Sequence, residues 1–259
     1  MSTNKGYCKL CRCFGALENS HAIGDSIFKK ITRKSSGQAI SFTHDLSEPV
    51  HYTQDSWAKP QLCSSCEKLL NTRYEGYGLK VLRGKTKPEV SDSGVSFKSL
   101  DQDRLAKYFL SIIWRAYHSN HPAYANTKML LSDSEYIRVA LLDGVKIPNN
   151  KFSIRVSRIM DLSSKPSFTR ESIKDLIVSP FSRVHSNPSN VSICLLFEGF
   201  FIEVFYKPLP LNQRKGLGVL NNAKKSLFVP FENIFEIEEV KELMFSGFVK
   251  HKKGLSKVS

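Results

Sequence analysis

The sequence predicts an α+β fold in two parts, an N-terminal zinc-binding domain and a C-terminal α+β domain with an antiparallel hairpin. Two observations support this prediction. Two Cys-x-x-Cys pairs bracket the first third of the chain, and the remainder combines helical periodicity with strongly β-forming apolar runs. A length of 259 residues suits one large domain or two modest ones. We expect a zinc-binding domain over residues 1–84, a linker rich in Ser, Gly, Lys and Pro over 85–100, and an α+β domain with a basic tail over 101–259.

The four predicted zinc ligands are Cys8, Cys11, Cys63 and Cys66. Two residues between paired cysteines let a tight turn, or a first helical turn, present both thiolates to one tetrahedral ion. Chance thiols and a redox-active pair are the weaker alternatives, and a chain without a secretory signal argues against a disulfide framework. Cys13 either replaces Cys11 as a ligand or is a free thiol. The order of a knuckle, a β-containing insert and a helix that carries the last two ligands is that of a treble clef.

Short elements are expected between and after the two pairs. Residues 27–31 have the pattern of one or two helical turns, and residues 38–43 and 49–53 are β-compatible segments. After the second pair, apolar residues recur at helical spacing, and Gly76 and Gly78 are expected to end that helix.

The predicted C-terminal domain begins with the clearest helix of the chain, residues 101–118, whose apolar residues line one face. A second helix follows the capping-box sequence Ser132-Asp-Ser-Glu135 and is stopped by Gly144. Alternation over residues 151–159 predicts a strand, and a short helix is expected near 170–178.

The strongest β signal lies further along the chain. Residues 191–196 and 200–206 are strand-like and flank Phe197-Glu-Gly199, which predicts an antiparallel hairpin. A strand near 226–230 and an acidic, apolar helix over 231–247 complete the prediction.

The chain carries a formal net charge of +14, from 38 Lys and Arg against 24 Asp and Glu. Such an excess favours a polyanionic partner, either nucleic acid or an acidic membrane surface. The basic residues are spread along the chain, but Lys250, Lys252 and Lys253 lie in a tail without acidic residues and are expected to contact phosphates. Arg155 and Arg158, on a predicted strand, are weaker candidates for the same role.

Targeting features favour one compartment. No apolar run approaches the roughly 20 residues that cross a bilayer. The N-terminus lacks the apolar segment of a secretory signal. We therefore expect a cytoplasmic protein with no membrane partner.

Three motifs together resemble a known family. Cys8-x-x-Cys11, the segment Leu17-Glu-Asn-Ser-His21-Ala-Ile and the segment Leu62-Cys-Ser-Ser-Cys-Glu67-Lys are similar to the zinc-stabilised HNH-type (ββα-metal) nuclease modules of bacterial proteins. The resemblance covers about the first third of the chain. It departs from the family at Ser20, where those modules carry a ligand of the catalytic ion.

The resemblance implies specific roles for three side chains. His21 would be the general base that activates water beside a second divalent cation such as Mg²⁺. Glu67 would take the place of the family's metal-binding histidine, and Asn71, one helical turn further on, would assist it. The residues themselves leave a structural His21 and an exposed first-turn Glu67 as alternatives.

Three functions remain open at this point. The first is a metal-dependent endonuclease of degenerate HNH type, with DNA as its first candidate substrate and defence against phage as the setting that the resemblance implies. The second is a non-catalytic nucleic-acid-binding module that uses the zinc fold and the basic surface. The third is an interaction protein that docks a partner through its C-terminal domain, with the hairpin over 197–206 either as the interface or as part of the core.

Overall fold

Short strands and helices form the N-terminal region. The structure, a computed structural model, describes residues 4–185 and 191–258. The elements of this region are β1 (Lys5–Tyr7), β2 (Phe14–Ala16), β3 (Glu18–Ser20), α1 (Asp25–Lys34), β4 (Ala39–Ser41), β5 (His51–Thr53), β6 (Lys59–Leu62), α2 (Ser64–Leu70) and α3 (Gly76–Leu82). Antiparallel pairs join β1 to β2, β3 to β6 and β4 to β5. The predicted short helix and both β-compatible segments are confirmed, with α1 longer than expected.

The helix after the second cysteine pair is also longer than predicted. It passes from α2 through a π-helical turn at Asn71–Glu75 into α3, which ends at Leu82 and not at either glycine. Gly78 serves packing, because a Cβ at this position would lie 2.0 Å from Cδ1 of Tyr108. The missing side chain therefore lets two helices approach closely without ending either of them.

A seven-stranded sheet dominates the rest of the described chain. The elements are β7 (Glu89–Val90), β8 (Gly94–Phe97), α4 (Gln102–His118), α5 (Leu131–Asp143), β9 (Ser153–Met160), α6 (Arg170–Lys174), β10 (Val178–Val184), β11 (Val191–Phe197), β12 (Phe200–Phe205), β13 (Leu227–Asn233) and α7 (Glu238–Lys252). The strand order is β10-β11-β12-β9-β13-β8-β7, and neighbours are antiparallel except for the parallel pair β9 and β13. The fold is thus mixed α+β, as predicted. No helix of the described residues has the length and apolar character needed to span a membrane.

The predicted hairpin is formed by β11 and β12. Glu198 and Gly199 make its two-residue turn, with φ values of 51° and 72°. A type I′ turn requires positive φ at both positions, and its twist matches that of the flanking strands. Every residue of β12 is buried, so the hairpin lies in the core and does not present an exposed face.

The segment predicted as a linker, residues 85–100, is part of the sheet. It supplies β7 and β8, and β8 pairs with β13. Val95, Phe97 and Leu100 are buried. Composition concealed these strands because strands near the edge of a sheet can be short and largely polar.

One hydrophobic core joins the N-terminal region to the sheet. It does not divide at residues 85–100, because a single cluster of buried side chains draws on both sides of that segment. Its members from the two sides include Leu10, Leu62, Leu70, Phe109, Ile113, Ile154 and Leu195. The cysteine-bearing region is therefore packed against the rest of the protein.

The later helices differ from prediction at their ends. α5 starts at Leu131, and the expected capping residue Glu135 forms hydrogen bonds with Arg138 instead. The region predicted as a helix over 231–247 first completes β13, because that strand pairs with β9 up to Asn233, and only then enters α7.

Beyond α7, the chain returns to the N-terminal region. The Val50 N–H donates to Leu255 O at 3.0 Å, and the Lys257 N–H donates to Val50 O at 2.8 Å.

Candidate metal centre and adjoining basic cavity

The four predicted cysteines converge on one point. The Sγ atoms of Cys8, Cys11, Cys63 and Cys66 all lie within 4.8 Å of one another, and those of Cys11 and Cys63 are 3.8 Å apart. Thiolates bound at about 2.3 Å to one tetrahedral zinc ion lie about 3.8 Å apart, whereas a disulfide needs about 2.05 Å. The spacing fits a metal ion such as zinc. Cys13 is exposed and lies outside this group.

Backbone geometry brings each pair into place. Arg12 has a φ of 65°, and its N–H donates to Cys8 O at 2.8 Å, while the Cys8 N–H donates to Cys13 O at 2.9 Å. The first pair thus lies in a closed turn between β1 and β2. Cys63 is the N-cap residue of α2 and Cys66 lies in its first turn. Both arrangements match the sequence prediction.

The thiols of the cluster differ in their tendency to ionise. Burial opposes a thiolate at Cys8, but backbone N–H groups of Cys63, Cys11 and Leu10 lower its pKa to about 7. Burial raises the pKa of Cys66. A bound cation reverses that effect, because a coordinating thiol loses its proton. Metal binding here is therefore coupled to proton release.

The first cysteine turn is fastened to α5. Arg138 Nη1 donates to Leu10 O at 2.7 Å. Arg12 and Arg138 both pair with Glu135 of the same helix. The cysteine cluster is therefore held by the later part of the chain as well as by its own loops.

Five charged or titratable side chains, which we call the charged cluster, lie beside the cysteine cluster: His21, Asp25, Glu67, Glu75 and Arg115. Arg115, on α4, is only 1% exposed. Its Nη2 donates to Oε2 of Glu75 at 3.2 Å, and its Nη1 lies 3.6 Å from Oε1 of Glu67. A buried guanidinium requires such partners, because loss of hydration opposes its charge.

His21 is a partly exposed member of the charged cluster and lies just before α1. Its side chain is 19% exposed, and Nε2 lies 2.9 Å from Ser56 Oγ and 3.7 Å from Asp25 Oδ1. Burial lowers its pKa, against the opposing influence of the Asp25 carboxylate. The imidazole is therefore neutral near neutral pH and able to accept a proton.

Glu67 and Asn71, the predicted ligands of a second cation, lie one helical turn apart, and Glu67 is engaged by other side chains. Oε2 of Glu67 accepts a hydrogen bond from Ser20 Oγ at 2.8 Å while Oε1 faces Arg115, so both oxygens are engaged. Asn71 is exposed at the start of the π-helical turn. Within the described ranges, the four cysteines are the only group of three or more His, Cys, Asp or Glu with closely placed ligand atoms.

Sequence reasoning missed Glu75 and Arg115 as members of this site. The two residues are 40 positions apart, and no local pattern links them. One signal was present, since Arg115 stands between Trp114 and Ala116 in the most apolar stretch of α4. A cation in such a position needs an acidic partner from elsewhere in the fold.

The predicted phosphate contacts in the tail are only partly available. Lys250 is 0% exposed, and its Nζ donates to Thr43 O at 2.6 Å. Lys250 therefore fastens α7 to the β4–β5 region and cannot meet a phosphate in this arrangement, contrary to expectation. Lys252 and Lys253 are exposed, and Lys252 Nζ lies 4.7 Å from the centre of the Phe248 ring.

A cavity of about 740 Å³, which we call the basic cavity, lies between α1, α6 and the sheet. Seven cationic and two acidic side chains line it, for a formal net charge of +5. These residues are Lys29, Lys30, Arg33, Arg83, Arg158, Arg170, Lys174, Glu171 and Glu198. Of the two weaker candidates from the sequence, Arg158 belongs to the cavity. Arg155 does not line it and pairs with Glu203 at 3.6 Å.

Comparison with known proteins does not identify the chain. No family model, curated protein or solved structure matches it. The structure alone shows the mixed α+β fold and the cysteine cluster.

Proposed function

We propose that this protein binds nucleic acid. In this proposal, a zinc-stabilised treble-clef region holds α1 in place, and α1 supplies three of the seven cationic residues of the basic cavity. The basic cavity carries the proposal, with seven Lys and Arg side chains against two acids around one opening. Cations that converge in this way attract phosphate groups and hold them through charge-assisted hydrogen bonds. Nucleic acid is the abundant polymer that offers such groups in series.

Three arginines of the cavity have no ion pair within the described part of the chain. Arg33 and Arg170 are exposed, and Arg158 contacts the carbonyl of Glu198 and the ring of Phe200. The other four cations already pair with acids. The unpaired arginines can therefore bind phosphate without first breaking an ion pair.

In this proposal the zinc ion is structural. Four thiolates complete its tetrahedral coordination and leave no open position for substrate. The ion joins the turn around Cys8 to the start of α2, and β3 pairs with β6 directly before Cys63. Since α1 follows β3 closely in the chain, the zinc ion and the β3–β6 pair also position the cationic residues of α1 at the cavity.

Fluorescence anisotropy with short labelled DNA and RNA, single-stranded and duplex, tests the proposal. Arg33→Glu and Arg170→Glu should each weaken binding about tenfold, because each replaces an attraction by a repulsion. Binding should also weaken steeply as salt is raised. Lys146→Glu is the matched control, an exposed charge reversal outside the cavity. Absence of binding at low salt, or an equal loss in the control, would contradict the proposal.

A second candidate function is metal-dependent hydrolysis of the bound strand. The observation that favours it is the neutral, partly exposed His21 beside Asp25, which meets the requirement for a general base. A plasmid-nicking assay with Mg²⁺, Mn²⁺ and Ni²⁺ should then show cleavage that His21→Ala abolishes. If the pure protein cleaves nothing under these conditions, the proposal of hydrolysis is contradicted, whereas the proposal of nucleic-acid binding is unaffected.

A further inference from the structure

Three cationic side chains of the basic cavity converge on one residue, Glu198. Its Oε2 accepts from Lys30 Nζ at 3.0 Å, its Oε1 accepts from Arg83 Nε at 2.9 Å, and its carbonyl accepts from Arg158 Nη1 at 2.8 Å. Three cations around one acidic residue leave a formal net charge of +2. Asp175 is also 3.8 Å from Lys30, but it is engaged by Lys34 at 2.7 Å.

Glu198 holds this group in place at a conformational cost. It occupies a type I′ turn with a φ of 51°, where Gly, Asn and Asp are the usual residues. Its side chain is 2% exposed. A strained, buried acid of this kind persists when its surroundings hold it, and here Lys30 and Arg83 do so. The cations are thus gathered at one point before any ligand arrives.

The wall beside these cations suits a flat ring. The guanidinium of Arg158 lies over Phe200, with Cζ 4.4 Å from the ring centre. Nucleobases stack on arginine planes and aromatic side chains, and they do so without strong base preference. Apolar side chains line the same cavity, among them Val95, Phe97, Met160 and Phe231.

We propose that the basic cavity binds a terminal nucleotide, with its phosphate monoester at Lys30, Arg83 and Arg33 and its base beside Arg158. This inference rests on the proposed function and narrows it to strand ends. A phosphate monoester carries a charge of about −1.5 to −2 near neutral pH, which matches the net charge around Glu198. An internal phosphodiester carries a single negative charge. The volume of about 740 Å³ suits one small ligand and excludes a duplex.

Two sets of titrations with the full chain test the inference. In calorimetry, adenosine 5′-monophosphate should bind more tightly than inorganic phosphate, and adenosine should show no binding. In anisotropy, a single-stranded oligonucleotide with a 5′-phosphate should bind about tenfold more tightly than the same strand without it. The second comparison changes only the terminal charge, so it isolates the monoester.

Variants assign the effect to the cavity. Lys30→Met and Arg33→Gln should remove the preference for the phosphorylated end, whereas Lys80→Met, an exposed lysine of α3 outside the cavity, should retain it. Arg33 is exposed and without an ion pair in the described residues, so Arg33→Gln keeps the test valid if Lys30→Met fails to fold. Arg158→Lys keeps the positive charge but removes the planar guanidinium. It should therefore weaken the binding of adenosine 5′-monophosphate more than the binding of inorganic phosphate.

The outcomes separate the two proposals. Equal affinity for the two oligonucleotides would overturn the terminal-nucleotide site and leave nucleic-acid binding intact. Binding of adenosine 5′-monophosphate without binding of either strand would overturn nucleic-acid binding and keep the nucleotide site. If adenosine 5′-monophosphate binds no more tightly than inorganic phosphate, the base contributes nothing to binding, and the inference is overturned.

Discussion

Nη2 of Arg115 and Oε2 of Glu75 lie 3.2 Å apart, deep between α4 and the helical stretch that follows the second cysteine pair. The same guanidinium faces Glu67, the residue directly after the cysteines. This contact joins the cysteine-bearing region to α4. It also means that Glu67, which the family resemblance favours as a ligand of a second ion, contributes to the fold in the described arrangement.

Arg115→Met should destabilise the protein by about 3–5 kcal/mol, because it leaves two partly buried carboxylates without their cation. Urea unfolding followed by circular dichroism measures the change. Arg33→Met, at an exposed arginine without an ion pair in the described residues, should change the free energy of unfolding by less than about 0.5 kcal/mol. Similar effects of the two variants would mean that the Arg115 contacts do not stabilise the fold.

Cys66→Ser should lower the zinc content, measured by mass spectrometry of the metal, well below one ion per chain and reduce the thermal stability. The reason is that, at a structural site, the free energy of zinc binding contributes to folding, so loss of a ligand lowers both the zinc affinity and the stability. Cys13→Ser is the matched control, because Cys13 is exposed and outside the group of four. Full zinc content in Cys66→Ser, or its loss in Cys13→Ser, would show that the ligands are assigned wrongly.

Gly78→Ala should cost about 1–3 kcal/mol, because its Cβ would lie 2.0 Å from Cδ1 of Tyr108 in a packed helix contact. Gly76→Ala, in the same helix, meets only the Asn71 carbonyl oxygen at 3.3 Å. It should change the free energy of unfolding by less than about 1 kcal/mol, since the higher helix propensity of alanine offsets this tight contact. Thermal and urea unfolding of the two variants compare the positions directly, and equal losses would count against a steric role for Gly78.

His118 should make the protein less stable as the pH falls from about 6.5 towards 4. Burial lowers the pKa of this histidine to about 4, so between these values the unfolded chain binds a proton that the folded chain does not. Its contribution is fully present above the ordinary pKa of about 6.5 and is lost on acidification. Between pH 7.5, 6 and 5, the free energy of unfolding should fall less steeply in His118→Asn than in the unaltered protein. An unchanged slope would exclude His118 as a source of the pH dependence.

Local patterns predicted part of this structure well. The cysteine spacing and the Glu-Gly turn of the hairpin act over a few residues, so the sequence states them directly. The features missed depend on distant partners. Arg115 meets Glu75 across 40 positions, and Lys250 is buried against Thr43 across 207 positions. Periodicity along one element carries no information about either contact.

The basic cavity was missed for the same reason, because its lining runs from Ser26 in α1 to Phe231 in β13. One partial signal was available: Lys29, Lys30, Arg33 and Lys34 fall within ten residues of α1. The strands of residues 89–97 were missed because they are short and lie at or next to the edge of the sheet, where few apolar residues are needed.

The pairing of Val50 with Leu255 and Lys257 has a consequence for the order of events during synthesis. The cysteines emerge from the ribosome early, but the insert between them cannot acquire its final partner until about two hundred further residues have been made. A nascent chain that captures its ion promptly would therefore carry an incompletely supported loop for many seconds. Protease sensitivity of stalled nascent chains around Val50 would reveal that interval.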